Sequence, residues 1–249
     1  MAASNSKSIS SLLSDVASGD RIVIVGAGIV GSCLANILST QSSQQVVLID
    51  RDVHGLPGST GHAPGYVGQY NQIPALTTLA TRSVKKYLEI ESGFNVVGGL
   101  EIAQSDKGVE SLKERCEKAS AAGLSAKMIR GGETVEKAPF FVKEEGGKGA
   151  LWFEKDGTAN AQLIARHEQA EAKTRGAILI DADVESVEAS SVLLKEGTKI
   201  EAAKVVLCTG IWTRTLLPSL PIVPVAHPYA YTAERSQPRK LKTPFVRYP

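Results

Sequence analysis

Residues 21–50 read RIVIVGAGIVGSCLANILSTQSSQQVVLID, and their order decides the fold. Arg21 to Val25 is a short, almost wholly apolar run, as expected of a buried strand in a parallel sheet. It leads into Gly26-Ala27-Gly28-Ile29-Val30-Gly31, a G-x-G-x-x-G pattern that opens a helix of small and apolar residues. Val46 to Ile49 is a second apolar run and ends on an acid, Asp50, about 20 residues beyond the glycines. Gly26 permits the tight turn, Gly28 lets a pyrophosphate approach the backbone, and Gly31 lets helix pack on strand. The helix N-terminus offers N–H groups and partial positive charge to phosphates. Asp50 can accept hydrogen bonds from ribose hydroxyls, and its charge disfavours a 2′-phosphate. Strand, glycine loop, helix, strand and acid in that order read as a dinucleotide-binding βαβ unit.

The totals narrow the class further. With 249 residues the chain can bury a substantial core and hold one large or two smaller domains. The 43% hydrophobic and 22% charged content is that of an ordinary globular protein. A net charge of +2 with no basic block gives no ground for a nucleic-acid or membrane partner. Cys33, Cys116 and Cys208 are far apart, without metal-ligand or redox spacing, and read as buried free thiols. We expect no metal site. Residues 1–20 are serine-rich, without the apolar centre of a secretory signal or the arginine-rich, acid-poor make-up of a transit peptide. We read them as a disordered or weakly helical lead-in and take the cytoplasm as the default address.

After Asp50 the chain changes character. Residues 51–71 carry five glycines and two prolines and read as one long loop, which in a compact domain is usually functional. From Pro74 the spacing of Leu76, Leu79, Ala80, Val84, Tyr87 and Leu88 predicts a helix. Leu100 to Ala103 reads as a strand, and Asp106 is the expected cap of a helix carrying Val109, Leu112, Cys116 and Ala119. Short strands follow at 126–129 and 149–153. The next helix should bury Leu163, Ile164, His167 and Ala170, and a strand is expected at 177–180. Residues 184–201 fit a β-meander around a Glu196-Gly197 turn. Lys204 to Cys208 is a strand leading into Thr209-Gly210, and the proline-rich segment beyond 218 alternates like a strand near Tyr229 and Tyr231. The fold class is α/β. A cofactor domain is expected from 21–92 plus 150–216, and a second domain from 93–149 plus 217–249.

Gly58-Ser-Thr-Gly-His62-Ala-Pro-Gly, Val97-Gly-Gly-Leu-Glu-Ile-Ala103, Asp156-Gly-Thr, Val205 to Gly210 and Pro224-Val-Ala-His227-Pro-Tyr carry a resemblance. They resemble, in order, the dimethylglycine oxidase, dimethylglycine dehydrogenase and sarcosine dehydrogenase branch of the D-amino-acid-oxidase-like (DAO) flavoproteins. The resemblance implies a Rossmann-type FAD-binding domain with a discontinuous α+β substrate domain. It implies FAD contacts at Gly26, Gly28, Gly31, Asp50, Arg51, Ser59, Thr60, Thr209 and Gly210. The flavin would be covalently linked through His62, whose neutral imidazole can attack the 8α-methyl carbon of the isoalloxazine. His227 matches a substrate-pocket histidine that acts on the amine, a role suited to a group titrating near neutrality. Pro228 replaces the polar residue usual after it, and proline holds the residue before it extended. Tyr66, Tyr229 and Tyr231 are candidates for cation–π contact with a methylated ammonium.

The expected activity is hydride transfer to FAD from the C–N side of an N-methylated glycine, with oxygen or an electron-transfer partner as final acceptor. Family members continue beyond the position of residue 249, so the resemblance implies a C-terminally incomplete copy that binds flavin weakly and turns over little substrate. A family tyrosine falls past the last residue and is not transferred to Tyr248. Three alternatives stand: a DAO-type oxidase of another amino acid, a catalytically inactive FAD-binding fragment, and a nicotinamide-dependent dehydrogenase, which leaves the His62 loop without a role.

Overall fold

The structure is a computed structural model that describes residues 9–13, 17–139, 141–143, 147–230, 233 and 243–248. The elements from the amino end are α1 (Ile9–Leu12), β1 (Arg21–Val25), α2 (Ile29–Gln41), β2 (Gln45–Asp50) and β3 (Tyr66–Val67). Then come α3 (Pro74–Leu88), β4 (Phe94–Val96), β5 (Gly99–Ala103), α4 (Asp106–Ala121), β6 (Ala126–Ile129) and α5 (Gly132–Lys137). Next are β7 (Gly149–Phe153), β8 (Gly157–Ala159), α6 (Ala161–Thr174), β9 (Ile178–Asp181) and β10 (Val184–Val187). The last are β11 (Ser191–Leu194), β12 (Lys199–Glu201), β13 (Lys204–Leu207), α7 (Thr213–Leu216) and β14 (Phe245–Arg247). Two compact units form, one from residues 1–63 and 161–228 and the other from 64–160 and 229–249. Their boundaries differ from the expected ones chiefly because β3, α3, β7 and β8 cluster with the second unit.

The first unit has a four-stranded parallel sheet in the order β13-β1-β2-β9. Both faces are covered, and the residues divide with period two. Val23, Val25, Val47 and Ile49 pack with Val192, Leu194 and Ile200 of the antiparallel β10-β11-β12 meander. Ile22, Ile24, Val46 and Leu48 face the other way, onto Ala35 of α2 and Ala172 of α6. Burial on both sides is why these strands read as continuous apolar runs. The lead-in is not wholly disordered: Ile9 to Leu12 form one helical turn, and Leu13 is buried in the meander-side core. Arg21 fixes it there, its Nη2 donating to the Leu13 carbonyl at 2.7 Å. Residues 1–8 and 14–16 lie outside the described part.

The second unit has the sheet β14-β5-β7-β6 and a smaller one, β3-β8-β4. Tyr66 and Val67 pair antiparallel with Thr158 and Gly157, which ties down the middle of what reads in sequence as unbroken loop. Three amphipathic readings shift. α4 is capped by Ser105, whose side chain accepts the Gly108 N–H at 3.1 Å, while Asp106 pairs with Lys148. α3 buries Thr77 and Val84 but leaves Leu76, Leu79 and Leu88 exposed. In the first unit, α6 buries Ile164, Ala165, Glu168, Gln169 and Ala172, and Ala170 faces solvent. The buried stripe is displaced because it includes a Glu-Gln pair that composition assigns to the surface. Residues 221–230 form no strand; three prolines in that span lack the N–H that a ladder requires. Tyr231 lies outside the described residues.

Candidate functional site

The first unit holds a cavity of about 360 Å³ at the carboxyl ends of β1, β2 and β13. Open parallel sheets bind ligands at this edge. Gly26, Gly28, Asp50, Arg51, Ser59, Thr60, Thr209 and Gly210 all line it, so eight residues singled out from sequence converge on one space. Gly31 lies behind the lining, and an added Cβ there would collide with the Gly26 carbonyl oxygen. Gly26 has φ +106°, and a Cβ on it would strike the Cys208 carbonyl. These two positions require glycine for separate reasons, one of backbone conformation and close approach, the other of helix-to-loop packing.

The N-terminus of α2 opens into this space. Gly28 is its N-cap, with no side chain to occupy the approach. The Ala27 N–H donates to Asp50 Oδ2 at 2.7 Å, and the Ile29 N–H donates to Thr60 Oγ1 at 2.9 Å. Asp50 therefore braces the glycine loop as well as facing the cavity. Each carboxylate oxygen has two acceptor sites, so the bond to Ala27 leaves capacity for a ribose hydroxyl. Thr60 accepts at its oxygen and keeps its own proton to donate. The chemistry of this donor set fits a dinucleotide: a glycine cradle and helix N-terminus for phosphate, a carboxylate for ribose.

Two residues not singled out from sequence complete the frame. The Arg51 guanidinium lies 4.3 Å from the centre of the Trp212 ring, and both line the cavity. Gln169, 1% exposed, reaches from α6 beneath the glycine loop. Its Nε2 donates to the Ala27 carbonyl at 3.1 Å, Ser32 Oγ at 3.2 Å and the Val53 carbonyl at 3.0 Å. One side chain thus fixes the loop, the first turn of α2 and the turn after Asp50. The detectable signal was the Glu168-Gln169 pair on a helix stripe made otherwise of Ile164, Ala165 and Ala172. Cys208 also lines the cavity, and burial raises its thiol pKa.

The histidines stand apart. His62 is exposed, on a turn, and does not line this cavity. His227 is exposed in the strandless segment. Tyr66 and Tyr229 are both about half exposed, at 50% and 46%. His54 is exposed and lends only its carbonyl, to Arg166 Nε at 3.2 Å. Among the described residues no helix is long and apolar enough to cross a membrane.

The second unit contains a separate cavity of about 620 Å³. Its wall includes Glu101, which is ion-paired at 2.9 Å with Arg115 Nε and at 3.2 Å with Arg247 Nη1. Asp156, 4% exposed, also lines it and accepts the Gln69 N–H at 3.0 Å. Burial pushes the Asp156 carboxyl up to about 6, against the partial relief of the Gln69 hydrogen bonds.

Comparison with known proteins identifies the family. The model of a family described as FAD dependent oxidoreductase (DAO) matches residues 21–248. The 4-methylaminobutanoate oxidase (formaldehyde-forming) of Paenarthrobacter nicotinovorans is 24% identical over 229 residues, 86% of this chain and 28% of that protein. The mitochondrial pyruvate dehydrogenase phosphatase regulatory subunit of Mus musculus is 24% identical over 247 residues, 91% of this chain and 27% of its own length. The chain thus spans little more than a quarter of these curated relatives. L-proline dehydrogenase from P. horikoshii superposes with a TM-score of 0.73 at 25% identity, covering 82% of this chain and 56% of that one. Glycine oxidase from Geobacillus kaustophilus has a TM-score of 0.65 at 21% identity, covering 79% and 57%. With a family model matched over nearly its whole length, the chain belongs to the DAO family of FAD-dependent oxidoreductases.

Proposed function

We propose that the chain binds FAD in the cavity of the first unit and serves the oxidation of an N-methylated glycine at a C–N bond. The observation that carries the reading is the convergence of Gly26, Gly28, Asp50, Thr60, Thr209 and Gly210 on one space at the sheet's carboxyl edge. Gly28 and the first turn of α2 hold the pyrophosphate, and Gly31 keeps the helix close enough to do so. Asp50 orients the ribose. Arg51, stacked on Trp212, and Ser59 flank the cavity, with Arg51 a charged donor at its edge. When bound, FAD supplies a two-electron hydride acceptor. His62 anchors it covalently, and His227 holds or removes the substrate ammonium proton so that the amine is neutral when its C–H bond breaks. The relative named a formaldehyde-forming oxidase of a methylamino acid supports the N-methyl substrate class. Oxygen or an electron-transfer partner is the final acceptor.

A purified chain incubated with FAD and precipitated in acid tests the anchor. Flavin fluorescence should stay in the wild-type pellet and be washed out of His62→Ala. Flavin released from the wild type would refute the covalent link, and a chain that takes up no flavin would refute the cofactor assignment.

A second reading is a flavin-binding module without turnover, favoured by the relative named a regulatory subunit. A chain that retains flavin yet shows no bleaching with dimethylglycine or sarcosine under anaerobic conditions would support it.

A further inference from the structure

Between Val53 and Gly61 the first unit runs through successive turns, with three glycines and one proline in 55–61. Such a stretch has much conformational entropy to lose on being ordered. Helix α6 grips it from one side at three carbonyls. Gln162 Nε2 donates to the Gly61 carbonyl at 2.6 Å, Arg166 Nε to the His54 carbonyl at 3.2 Å, and Gln169 Nε2 to the Val53 carbonyl at 3.0 Å. The three donors stand at i, i+4 and i+7, one stripe of the helix. The ends of the segment are tied on other sides as well. The Val53 N–H donates to Asp181 Oδ1 at 2.7 Å, and Thr60 Oγ1 accepts the Ile29 N–H at 2.9 Å. Within the segment, the Gly55 N–H donates to Asp52 Oδ1 at 2.7 Å and the Gly61 N–H to the Gly58 carbonyl at 3.0 Å. Leu56 has φ +53°, a left-handed conformation that a leucine keeps only when its surroundings impose it. Its side chain is buried, and its carbonyl oxygen lies where a Cβ on Gly61 would collide with it. Leu56, Pro57, Gly58, Ser59 and Thr60 all line the first-unit cavity.

We infer that Gln162, Arg166 and Gln169 are positioning residues, which from α6 hold residues 53–61 as a cavity wall that is formed before any ligand enters. A flexible wall has to be ordered at the moment of binding, which lowers affinity; a wall held in advance avoids that loss. The grip falls on both sides of Leu56, at His54 and at Gly61, and so keeps its strained turn from relaxing. Gln162 also bears on the glycine-loop end of the cavity, because Gly61 follows Thr60, whose hydroxyl oxygen meets the first turn of α2. Arg166 contributes least, since its bond lies at the exposed surface. The inference rests on the FAD reading only for the identity of the ligand; the order of the wall is a property of the chain itself.

Hydrogen exchange measured by NMR on the 249-residue chain without added flavin tests the wall, and fluorescence titration with FAD tests its use. The Gly55 and Gly61 amides should exchange at least tenfold more slowly than in a free peptide. Gln162→Met keeps the length of the side chain and loses the donor. It should speed exchange at Gly61 at least tenfold, and at Val47 and Leu48 of β2 by no more than about threefold. Gln162→Lys restores a donor of similar reach and should bring Gly61 back to within threefold of the wild type, a rescue that a packing role would not give. The Gln162→Met/Arg166→Met double variant should bind FAD at least tenfold more weakly than the wild type. Unprotected Gly55 and Gly61 amides in the wild type would overturn the inference. So would Gly61 exchange unchanged in Gln162→Met, or as fast in Gln162→Lys as in Gln162→Met. A double variant with a loosened wall and wild-type FAD affinity would overturn the positioning role. A wild type that takes up no FAD, while its wall amides are protected and respond to the variants, would support the wall and refute the FAD reading.

Discussion

The two cavities are built from different materials. In the first unit the chemistry comes from backbone: a helix N-terminus, a glycine loop, and carbonyls fixed by Gln169. Side chains there mostly brace the loop, as Asp50 does through the Ala27 N–H and Thr60 through the Ile29 N–H. In the second unit the chemistry is carried by charged side chains, with Glu101 and Asp156 each under 5% exposed. A backbone site depends on close approach and is broken by adding atoms. A side-chain site depends on charge balance and is broken by removing them.

The largest effect should come from adding atoms. Gly31→Val places a Cβ on the Gly26 carbonyl oxygen, a backbone atom that cannot swing aside, with the Cys208 Cβ 3.2 Å away. We expect a loss of about 4 kcal/mol or more, with flavin uptake abolished. The thermal midpoint should fall by roughly 10 °C, at about 2–4 °C per kcal/mol for a protein of this size. Gly19→Ala is the control in the same unit, since a Cβ there meets nothing within 4 Å, and its midpoint should hardly move. Equal tolerance of both substitutions would mean that the glycine loop is not a packing constraint.

Removing atoms should do similar damage in the second unit. Glu101→Ala leaves Arg115 and Arg247 facing each other without their shared carboxylate. Glu101 is buried, but Arg115 and Arg247 are 24% and 44% exposed and regain water when it is removed, so the cost falls at the low end for a buried pair broken from one side, about 3 kcal/mol. Denaturant unfolding monitored by the near-ultraviolet signal of Tyr70 and its neighbours checks this. A change below about 1 kcal/mol would show that the ion pairs of Glu101 are solvated.

This contrast also explains what could be read from the residues alone. The first site is contiguous, since 21–50 holds the strand, loop, helix and acid in one stretch, and the late Thr209-Gly210 turn is a recognisable return to it. Its parallel strands are apolar on both faces and so stand out by composition. The second site is assembled across 146 positions, the separation of Glu101 and Arg247, and no local period relates its members. Glu101 sits in a strand and Arg115 in a charged helix, where each has the pattern of an ordinary surface residue. The same difficulty moved the buried face of α6: Glu168 and Gln169 are polar, yet they are buried because Asn36 and the glycine loop supply their partners. Periodicity reports hydrophobicity, and it cannot see a polar group whose partner lies more than a hundred residues away.

Gln169→Leu tests whether a side chain is needed to hold a backbone site together. The leucine fills similar space but leaves the Val53 carbonyl without this donor, while Ser32 Oγ still serves Ala27 at 2.8 Å. A cost of roughly 2–3 kcal/mol is expected from one buried acceptor left unpaired and the loss of its shared bonds. Flavin affinity should fall as the loop relaxes. Gln169→Glu should lose affinity more steeply than stability, because it sets a negative charge beneath the proposed phosphate site. Parallel losses in the two variants would reduce Gln169 to a packing role.

The smallest effect, and the one with a definite sign, belongs to Asp156. Its carboxyl rises from an ordinary 3.8 to about 6, first because of burial, with Glu101 adding to the shift and Gln69 and Arg115 opposing it. The folded protein therefore holds this proton more tightly than the unfolded chain. The associated stability is fully present below about pH 4 and is lost as pH rises through about 6. Asp156→Asn keeps an acceptor for the Gln69 N–H and removes the charge. It should stabilise the protein on the order of 2 kcal/mol near pH 7, with the gain shrinking towards zero below pH 4. Urea midpoints of wild type and variant measured from pH 4 to pH 8 should diverge as pH increases. Curves that stay parallel would mean that Asp156 titrates like an exposed carboxylate, and the two cavities would then differ less in kind than their walls imply.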